Sequence, residues 1–299
     1  MTANGWAIAL GYFDGVHIGH RQLIKKLCDQ GRLLGLKTMV YTFDRHPLNV
    51  INPDNPIPLI YTSETKYKML QELGVDKVVM APFNIRVSRM APEEFLEEAL
   101  LQKYDIGYVV VGFNFRFGYR GAGDVNLLKR AGEQKGIRVD VISPVELNGE
   151  VVSSSFIRDL IRNGDIEKAN SLLGSKYTVS GRVIRGKGRG NGMGIPTANI
   201  KLPQDVLYPA RGVYITNTVY QNRRFSSITN VGTNPTFSDG QMGIETYING
   251  LNSSLYNSLI YLEFFKKIRD EKKFENKKEL RKQIELDIKY LENYCYQNE

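Results

Sequence analysis

Cysteine is nearly absent from this 299-residue chain: Cys28 and Cys295 are its only two, far apart in sequence. That excludes a disulfide scaffold and favours a reduced, cytoplasmic setting. No run of about 18 apolar residues occurs, so no membrane span is expected. The leading residues Met1-Thr2-Ala3-Asn4-Gly5 carry neither the basic nor the apolar segment of a secretory signal. Low-complexity linkers and internal repeats are also missing. Basic charge is not scarce: the formal net charge is +8, and between Lys266 and Lys282 nine Lys or Arg stand against four Asp or Glu. That run holds a single aromatic, Phe274, and so lacks the interleaved rings that stack on bases. A solvated helix face is expected there, with neither nucleic acid nor a membrane as partner.

The rest of the composition, 42% hydrophobic and 24% charged, is that of a folded protein long enough for two domains. Up to about residue 145, apolar runs (Ala7 to Leu10, Thr38 to Phe43, Lys77 to Met80, Tyr108 to Gly112, Arg138 to Ser143) alternate with helical patterns. One such pattern is Leu23, Ile24, Leu27 and Cys28. Another is Phe95, Leu96, Ala99 and Leu100, following Pro92 and two glutamates. This alternation predicts an α/β domain with a parallel sheet, whose ligands sit beyond the carboxyl ends of its strands. After residue 176 the runs Tyr177 to Arg185, Gly212 to Tyr220, Phe225 to Val231, Ile244 to Ile248 and Leu259 to Phe265 follow without helices between them. They predict an all-β antiparallel barrel. A closing helix is marked by the stripe Leu280, Ile284, Ile288 and Leu291. The junction is expected at Leu173-Gly174-Ser175-Lys176, giving domains 1–173 and 176–299.

Two of the three histidines lie in Gly11-Tyr12-Phe13-Asp14-Gly15-Val16-His17-Ile18-Gly19-His20, directly after the first strand. His17 and His20 share one face of a helix's first turn, where free backbone N–H groups and the helix dipole favour an anion. Asp14 fits two roles equally well, orienting a ligand or forming a turn. The third histidine, His46, follows the second strand in Thr42-Phe43-Asp44-Arg45-His46-Pro47. Val111-Gly112-Phe113-Asn114-Phe115-Arg116-Phe117-Gly118 ends another strand with an amide, a base and aromatics. Ser153, Ser154 and Ser155 precede a helix that carries Arg158 in its first turn. Alone these serines are ordinary caps; beside the histidine pair they supply hydroxyls for the outer phosphates of a nucleotide.

The second half opens on five glycines in the nine residues Gly186 to Gly194, with Lys187 and Arg189 among them, followed by Ile195-Pro196-Thr197-Ala198-Asn199. The Gly-Lys-Ser/Thr ending of a Walker loop is absent, which excludes that fold. Thr197 and Asn199 alternate onto one face of a strand and offer two oxygens to a hard cation such as magnesium. Glu245 is a carboxylate inside an apolar strand, so it needs a partner or a task. A proton-accepting role and a salt bridge both fit.

The first-half motifs resemble the nucleotidylyltransferase superfamily. Both motif sets, in this order and over essentially the whole chain, resemble the bacterial bifunctional riboflavin kinase/FMN adenylyltransferase (FAD synthetase) family. Asn230-Val231-Gly232-Thr233-Asn234-Pro235-Thr236-Phe237 and Ile268-Arg269-Asp270-Glu271-Lys272-Lys273-Phe274 add to the likeness. The resemblance implies a Rossmann-like adenylyltransferase domain and a β-barrel kinase domain ending in a helix. It implies ATP, riboflavin, FMN, FAD and pyrophosphate as ligands and Mg2+ as cofactor; the sequence does not reveal the oligomeric state, for which a monomer is the default.

By the same resemblance His17, His20 and Glu245 are catalytic, and Thr197 and Asn199 hold the metal. Gly11, Phe13, Asp14, Asn114, Ser153, Ser154, Ser155, Arg158, Gly186, Arg189 and Gly194 contact the nucleotide, and His46, Arg116 and Arg269 the flavin. The chain departs from the family pattern at Tyr12 (commonly Asn), at Phe113-Asn114 (frequently Glu-Asp), at Ser155 (usually Thr) and at Asn257 (usually Gly). Ten residues precede Gly11, so a shorter leading segment than usual is expected. Two other readings are an enzyme with one live activity and a flavin-binding regulator. A redox flavoprotein finds neither a nicotinamide motif nor closely spaced cysteines.

Overall fold

The computed structural model describes residues 5–186, 195–233, 242–251 and 253–298. They form two compact units, Met1–Ser154 and Ser155–Glu299.

In the first unit β1 (Trp6–Leu10), β2 (Lys37–Phe43), β3 (Lys77–Ala81), β4 (Ile106–Gly112) and β5 (Arg138–Ile142) make one sheet in the order β3-β2-β1-β4-β5. Every pairing is parallel, as expected from the alternation of strand and helix. Side chains of one strand point alternately to the two faces, and each face has its own core. Ile8, Leu10, Met39, Tyr41, Val109 and Val111 pack with Leu96, Leu100 and Leu128. Ala7, Ala9, Val40, Tyr108 and Val110 pack with Leu23, Ile24, Leu27 and Leu70. Because β1 lies between β2 and β4, strand order reverses there. The crevice at its carboxyl end is the natural ligand position. The small hairpin of β6 (Glu146–Leu147) and β7 (Glu150–Val151) follows β5.

The stretch around Phe95 differs from the expected α-helix. Pro92–Glu94 forms one α-turn, and Phe95–Leu101 continues as a π-helix. Its wider turn is closed by the Gln102 N–H on the Glu97 carbonyl at 3.0 Å. Phe95, Leu96, Ala99 and Leu100 are still the buried face. Helical periodicity does not separate the two windings over seven residues.

In the second unit β8 (Tyr177–Ile184), β9 (Thr197–Lys201), β10 (Gly212–Tyr220), β11 (Arg223–Thr233), β12 (Met242–Ile248) and β13 (Leu259–Arg269) close into an antiparallel barrel. Its order is β10-β11-β12-β9-β8-β13. Val213, Ile215 and Ile228 pack with Leu291 of the terminal helix Lys277–Asn298, the residue that ends the expected apolar stripe. The alternate residues hold a hydroxyl network. Thr216, Thr218, Ser227, Thr229 and Thr246 are wholly buried. Thr216 Oγ1 meets Ser227 Oγ at 2.8 Å and Thr229 Oγ1 at 2.7 Å, and Thr229 donates to Thr246 at 2.9 Å. Mutual pairing offsets the desolvation that buried hydroxyls otherwise suffer.

Helices Ser154–Asn163 and Ile166–Leu173 count with the barrel. Asn170 explains this for the second: its amide donates to the Phe264 carbonyl at 2.9 Å and accepts from the Tyr177 N–H at 2.6 Å. Both cysteines are free thiols.

Candidate active sites

The turn after β1 is held in backbone conformations that side chains rarely adopt: φ is +57° at Phe13, +81° at Gly15 and +41° at the β-branched Val16. Such a turn persists only when its surroundings over-determine it. The buried Asp14 carboxylate accepts the Ile60 N–H at 3.2 Å, and the Asp14 carbonyl accepts the Ser154 hydroxyl at 2.9 Å. Asp14 thus ties the turn to Ile60 and Ser154. Phe13 folds its ring over Gly11, where an added Cβ would lie 2.9 Å from it, so any side chain there would displace the ring.

The turn delivers His17 to the N-cap of the helix Ile18–Leu34, where its Nδ1 accepts the His20 N–H at 3.3 Å. A neutral His17 with Nδ1 accepting carries its proton on Nε2. The two imidazoles stack with centroids 3.6 Å apart and planes inclined by 17°. Burial pushes His17 down to about 4. Burial also holds His20 well below the ordinary imidazole value, helped by the neighbouring charges of His17 and Lys66. At neutral pH both rings are therefore uncharged hydrogen-bonding groups. His20 Nδ1 is buried with no hydrogen-bond partner among the described residues.

A cavity of about 340 Å³ opens at this end of the sheet, and Gly11, Phe13, His17, His20, Asn114, Arg116, Ser153 and Ser154 are on its wall. Tyr12, Phe43, Phe95, Phe113 and Phe115 add an aromatic side. Asp14 and His46 are not wall residues. His46 caps the short helix Pro47–Ile51, with Nδ1 accepting from Leu48 at 3.2 Å, and its ring meets Tyr12 edge-on at 4.5 Å. Ser155 and Arg158 belong to the second unit. There the buried Arg158 donates to the Ser155 hydroxyl at 3.4 Å.

Lys66 was not foreseen from sequence. It is 2% exposed on the helix Ser63–Gln71, and its ammonium donates to the carbonyls of Tyr12 and Phe43, both at 3.0 Å. In sequence it is one more lysine. The only signal is its position four residues before the buried Leu70, on the same helix face.

In the second unit Thr197 and Asn199 share one face of β9, and Asn199 stands directly opposite Glu245 of β12. The Thr197 hydroxyl donates a short hydrogen bond to Glu245 Oε1. Glu245 is half-buried, on the face alternate to Ile244, Thr246 and Ile248, and one of its partners is this hydroxyl. A Cβ on Gly186 would lie 2.2 Å from Asn199 Nδ2, so that backbone lies directly against the amide. Arg189 and Gly194 fall outside the described residues. Arg269 ends β13 in a bidentate pair with the buried Asp287 of the terminal helix, Nη2 to Oδ2 at 2.7 Å and Nε to Oδ1 at 3.0 Å. Gln283 donates to the same carboxylate at 3.0 Å. Asp287 was missed because it interrupts an apolar stripe at a position where a solvated charge is the ordinary reading.

Residues 1–156 match the FAD synthetase family and residues 173–295 the riboflavin kinase family. The bifunctional riboflavin kinase/FMN adenylyltransferase of Bacillus subtilis is 34% identical over 294 residues, covering 96% of this chain and 92% of that protein. The protein of that name from Escherichia coli K12 is 32% identical over 284 residues, covering 95% and 90%. A crystal structure from Streptococcus pneumoniae, called a macrolide-efflux protein, superposes with a TM-score of 0.88 at 27% identity, over 98% of this chain and 95% of that one. That name concerns the other protein; among the described residues here no helix is long and apolar enough to cross a membrane. With both modules matched in order and full-length relatives above 30% identity, the chain belongs to the bifunctional riboflavin kinase/FMN adenylyltransferase family: it phosphorylates riboflavin to FMN and adenylylates FMN to FAD.

Proposed function

We propose that the two reactions use the two sites described, adenylyl transfer at the His17–His20 cavity and phosphorylation at the Thr197–Glu245 pair. The observation that carries this is the presence of two separate polar constellations, one at the switch point of a parallel sheet and one on a barrel face.

In adenylyl transfer an FMN phosphate oxygen attacks the α-phosphorus of ATP and pyrophosphate leaves. No proton must move, so catalysis is positioning plus stabilisation of spreading negative charge. His17, through Nε2–H, and His20 donate to the phosphoryl oxygens. Gly11, Phe13, Asn114, Ser153 and Ser154 border the nucleotide; Ser155 and Arg158, which the family resemblance also assigns to it, begin the second unit. Arg116 and the aromatic wall take the flavin, with His46 behind Tyr12. Asp14 serves the nucleotide indirectly, by holding the turn.

In the kinase reaction the ribityl 5′-hydroxyl attacks the γ-phosphorus, Glu245 accepts the hydroxyl proton, and ADP leaves. A divalent cation is usual for ATP chemistry, and the donor set suits Mg2+: a hydroxyl and an amide oxygen, both hard ligands, beside a carboxylate. The close approach of Gly186 to the Asn199 amide fits a strand end kept bare for such a ligand. Thr197 and Asn199 would hold the ion, which would neutralise phosphate charge. Gly186, Arg189 and Gly194 are assigned to the nucleotide, and Arg269 to the flavin side.

The functional domains are 1–173 and 176–299, supported by the riboflavin kinase match that starts at residue 173, although the two helices before it pack with the barrel. Free cysteines fit a cytoplasmic enzyme, and a monomer without nucleic-acid or membrane partners is the simplest state. The test is chromatography of flavins after incubation with riboflavin, ATP and magnesium, and separately with FMN. Riboflavin passing through FMN to FAD supports both assignments. Untouched riboflavin with FAD made from FMN would remove the kinase assignment, and the converse the other.

A further inference from the structure

Three contacts help to anchor the strained turn that carries His17 and His20. Two are the contacts of Asp14 with Ile60 and Ser154. The third is the Tyr12 carbonyl, which accepts the Thr42 hydroxyl at 2.9 Å and the Lys66 ammonium at 3.0 Å. Lys66 Nζ also donates to the Phe43 carbonyl at 3.0 Å and to Thr42 Oγ1 at 3.4 Å, and it sits 3.7 Å from the centre of the Tyr12 ring. Three acceptors and one aromatic face thus converge on a single buried lysine that is not on the cavity wall. Only the ammonium form has three N–H donors and a charge for the ring to attract. A neutral amine would turn its lone pair toward one of the three oxygens.

We propose that Lys66 is a positioning residue for FAD synthesis: its buried ammonium clamps the end of β1 to the end of β2 and so holds the His17–His20 turn in its reactive form. The proposal rests on the assignment of adenylyl transfer to that histidine pair. The site keeps Lys66 at a cost to folding, because burial pushes its ammonium down to about 7, against the pull of Asp14 and Asp44. The titratable groups facing it are Asp14 in the turn, Asp44 beyond β2, His20 in the first helical turn and the Tyr12 phenol. A buried charge that opposes folding and touches no ligand is explained by what it holds in place.

The test measures FMN and FAD formation by the full chain as a function of pH, for the wild type, Lys66→Met, Thr42→Val and His20→Ala. Lys66→Met keeps the stem length and removes all donors. It is expected to lower kcat for FAD formation at least tenfold at pH 6.5, with KM for FMN changed less than threefold and FMN formation unchanged. Wild-type FAD formation is expected to fall as pH rises through about 7, and Lys66→Met to lack that limb. Thr42→Val, which spares the charge but removes one contact, is expected to show a smaller loss, about threefold. FAD formation by Lys66→Met within twofold of wild type, or with the same alkaline limb, overturns the proposal. Should Lys66→Met not fold, a Thr42→Val variant indistinguishable from wild type, or a wild type without the limb, overturns it instead. Full FAD synthesis by His20→Ala would instead defeat the underlying site assignment.

Discussion

The imidazoles of His17 and His20 stack at 3.6 Å, and the backbone N–H of the second is held by Nδ1 of the first. Two imidazolium ions cannot share that geometry, and burial keeps both rings neutral. The folded protein leaves His17 unprotonated down to about 4, whereas an unfolded histidine binds a proton near 6.5. Below 6.5 the unfolded state therefore holds more protons, and stability falls as pH drops from 6.5 toward 4. His17 alone accounts for about 2 kcal/mol of lost stability between pH 7 and pH 5. Urea titrations at the two pH values measure this, and His17→Gln should lose correspondingly less than wild type.

Removing one donor from a site that works by charge stabilisation is costly to rate. His20→Ala is expected to reduce FAD formation from FMN by about 100-fold or more, while FMN formation from riboflavin continues. Equal loss of both activities would defeat the assignment of the two reactions to two sites.

Glu245→Ala should do the reverse, ending FMN formation while supplied FMN is still converted to FAD. Gly186→Ala tests the same site without touching a charge. Its Cβ would fall 2.2 Å from Asn199 Nδ2, so the amide must move. Riboflavin turnover should fall at least tenfold, on the order of 1.4 kcal/mol in the barrier or more. Unaltered turnover would place the nucleotide and metal elsewhere on the barrel.

Thr229 touches both Thr216 and Thr246 inside the barrel. Thr229→Val keeps the shape but leaves two buried hydroxyls short of a partner. The expected loss is about 1–3 kcal/mol of stability, read from the denaturant midpoint. A midpoint equal to wild type would mean that the remaining hydroxyls re-pair without cost.

Arg269 and Asp287 form a largely buried pair, their side chains 17% and 6% exposed. Asp287→Ala leaves the guanidinium buried without its carboxylate, and a loss of about 3–5 kcal/mol is expected. If Arg269 also faces the flavin, KM for riboflavin should rise in the same variant while KM for FMN in FAD formation stays constant. Parallel changes in both constants would argue for a purely structural pair.

Much of this was readable along the chain because it depends on local pattern. Alternating apolar runs and helical spacing placed the parallel sheet, and the runs after residue 176 placed the barrel. Where local pattern is ambiguous the reading diverged, as at Phe95–Leu101, whose buried residues fit an α-helix but wind as a π-helix. Asp14 fits two roles in sequence, and its bond from the Ile60 N–H, 46 residues on, is legible only in the fold. What no sequence pattern carries is pairing between distant segments. Lys66 meets Tyr12, Asp287 meets Arg269, and five buried hydroxyls meet one another, each as a charged or polar residue whose ordinary place is the surface. Periodicity and motif order are properties of neighbouring residues, and the chain alone carries them. Which polar groups leave water is settled by folding, because burial is tolerated only where the fold brings a hydrogen-bond partner from elsewhere in the chain.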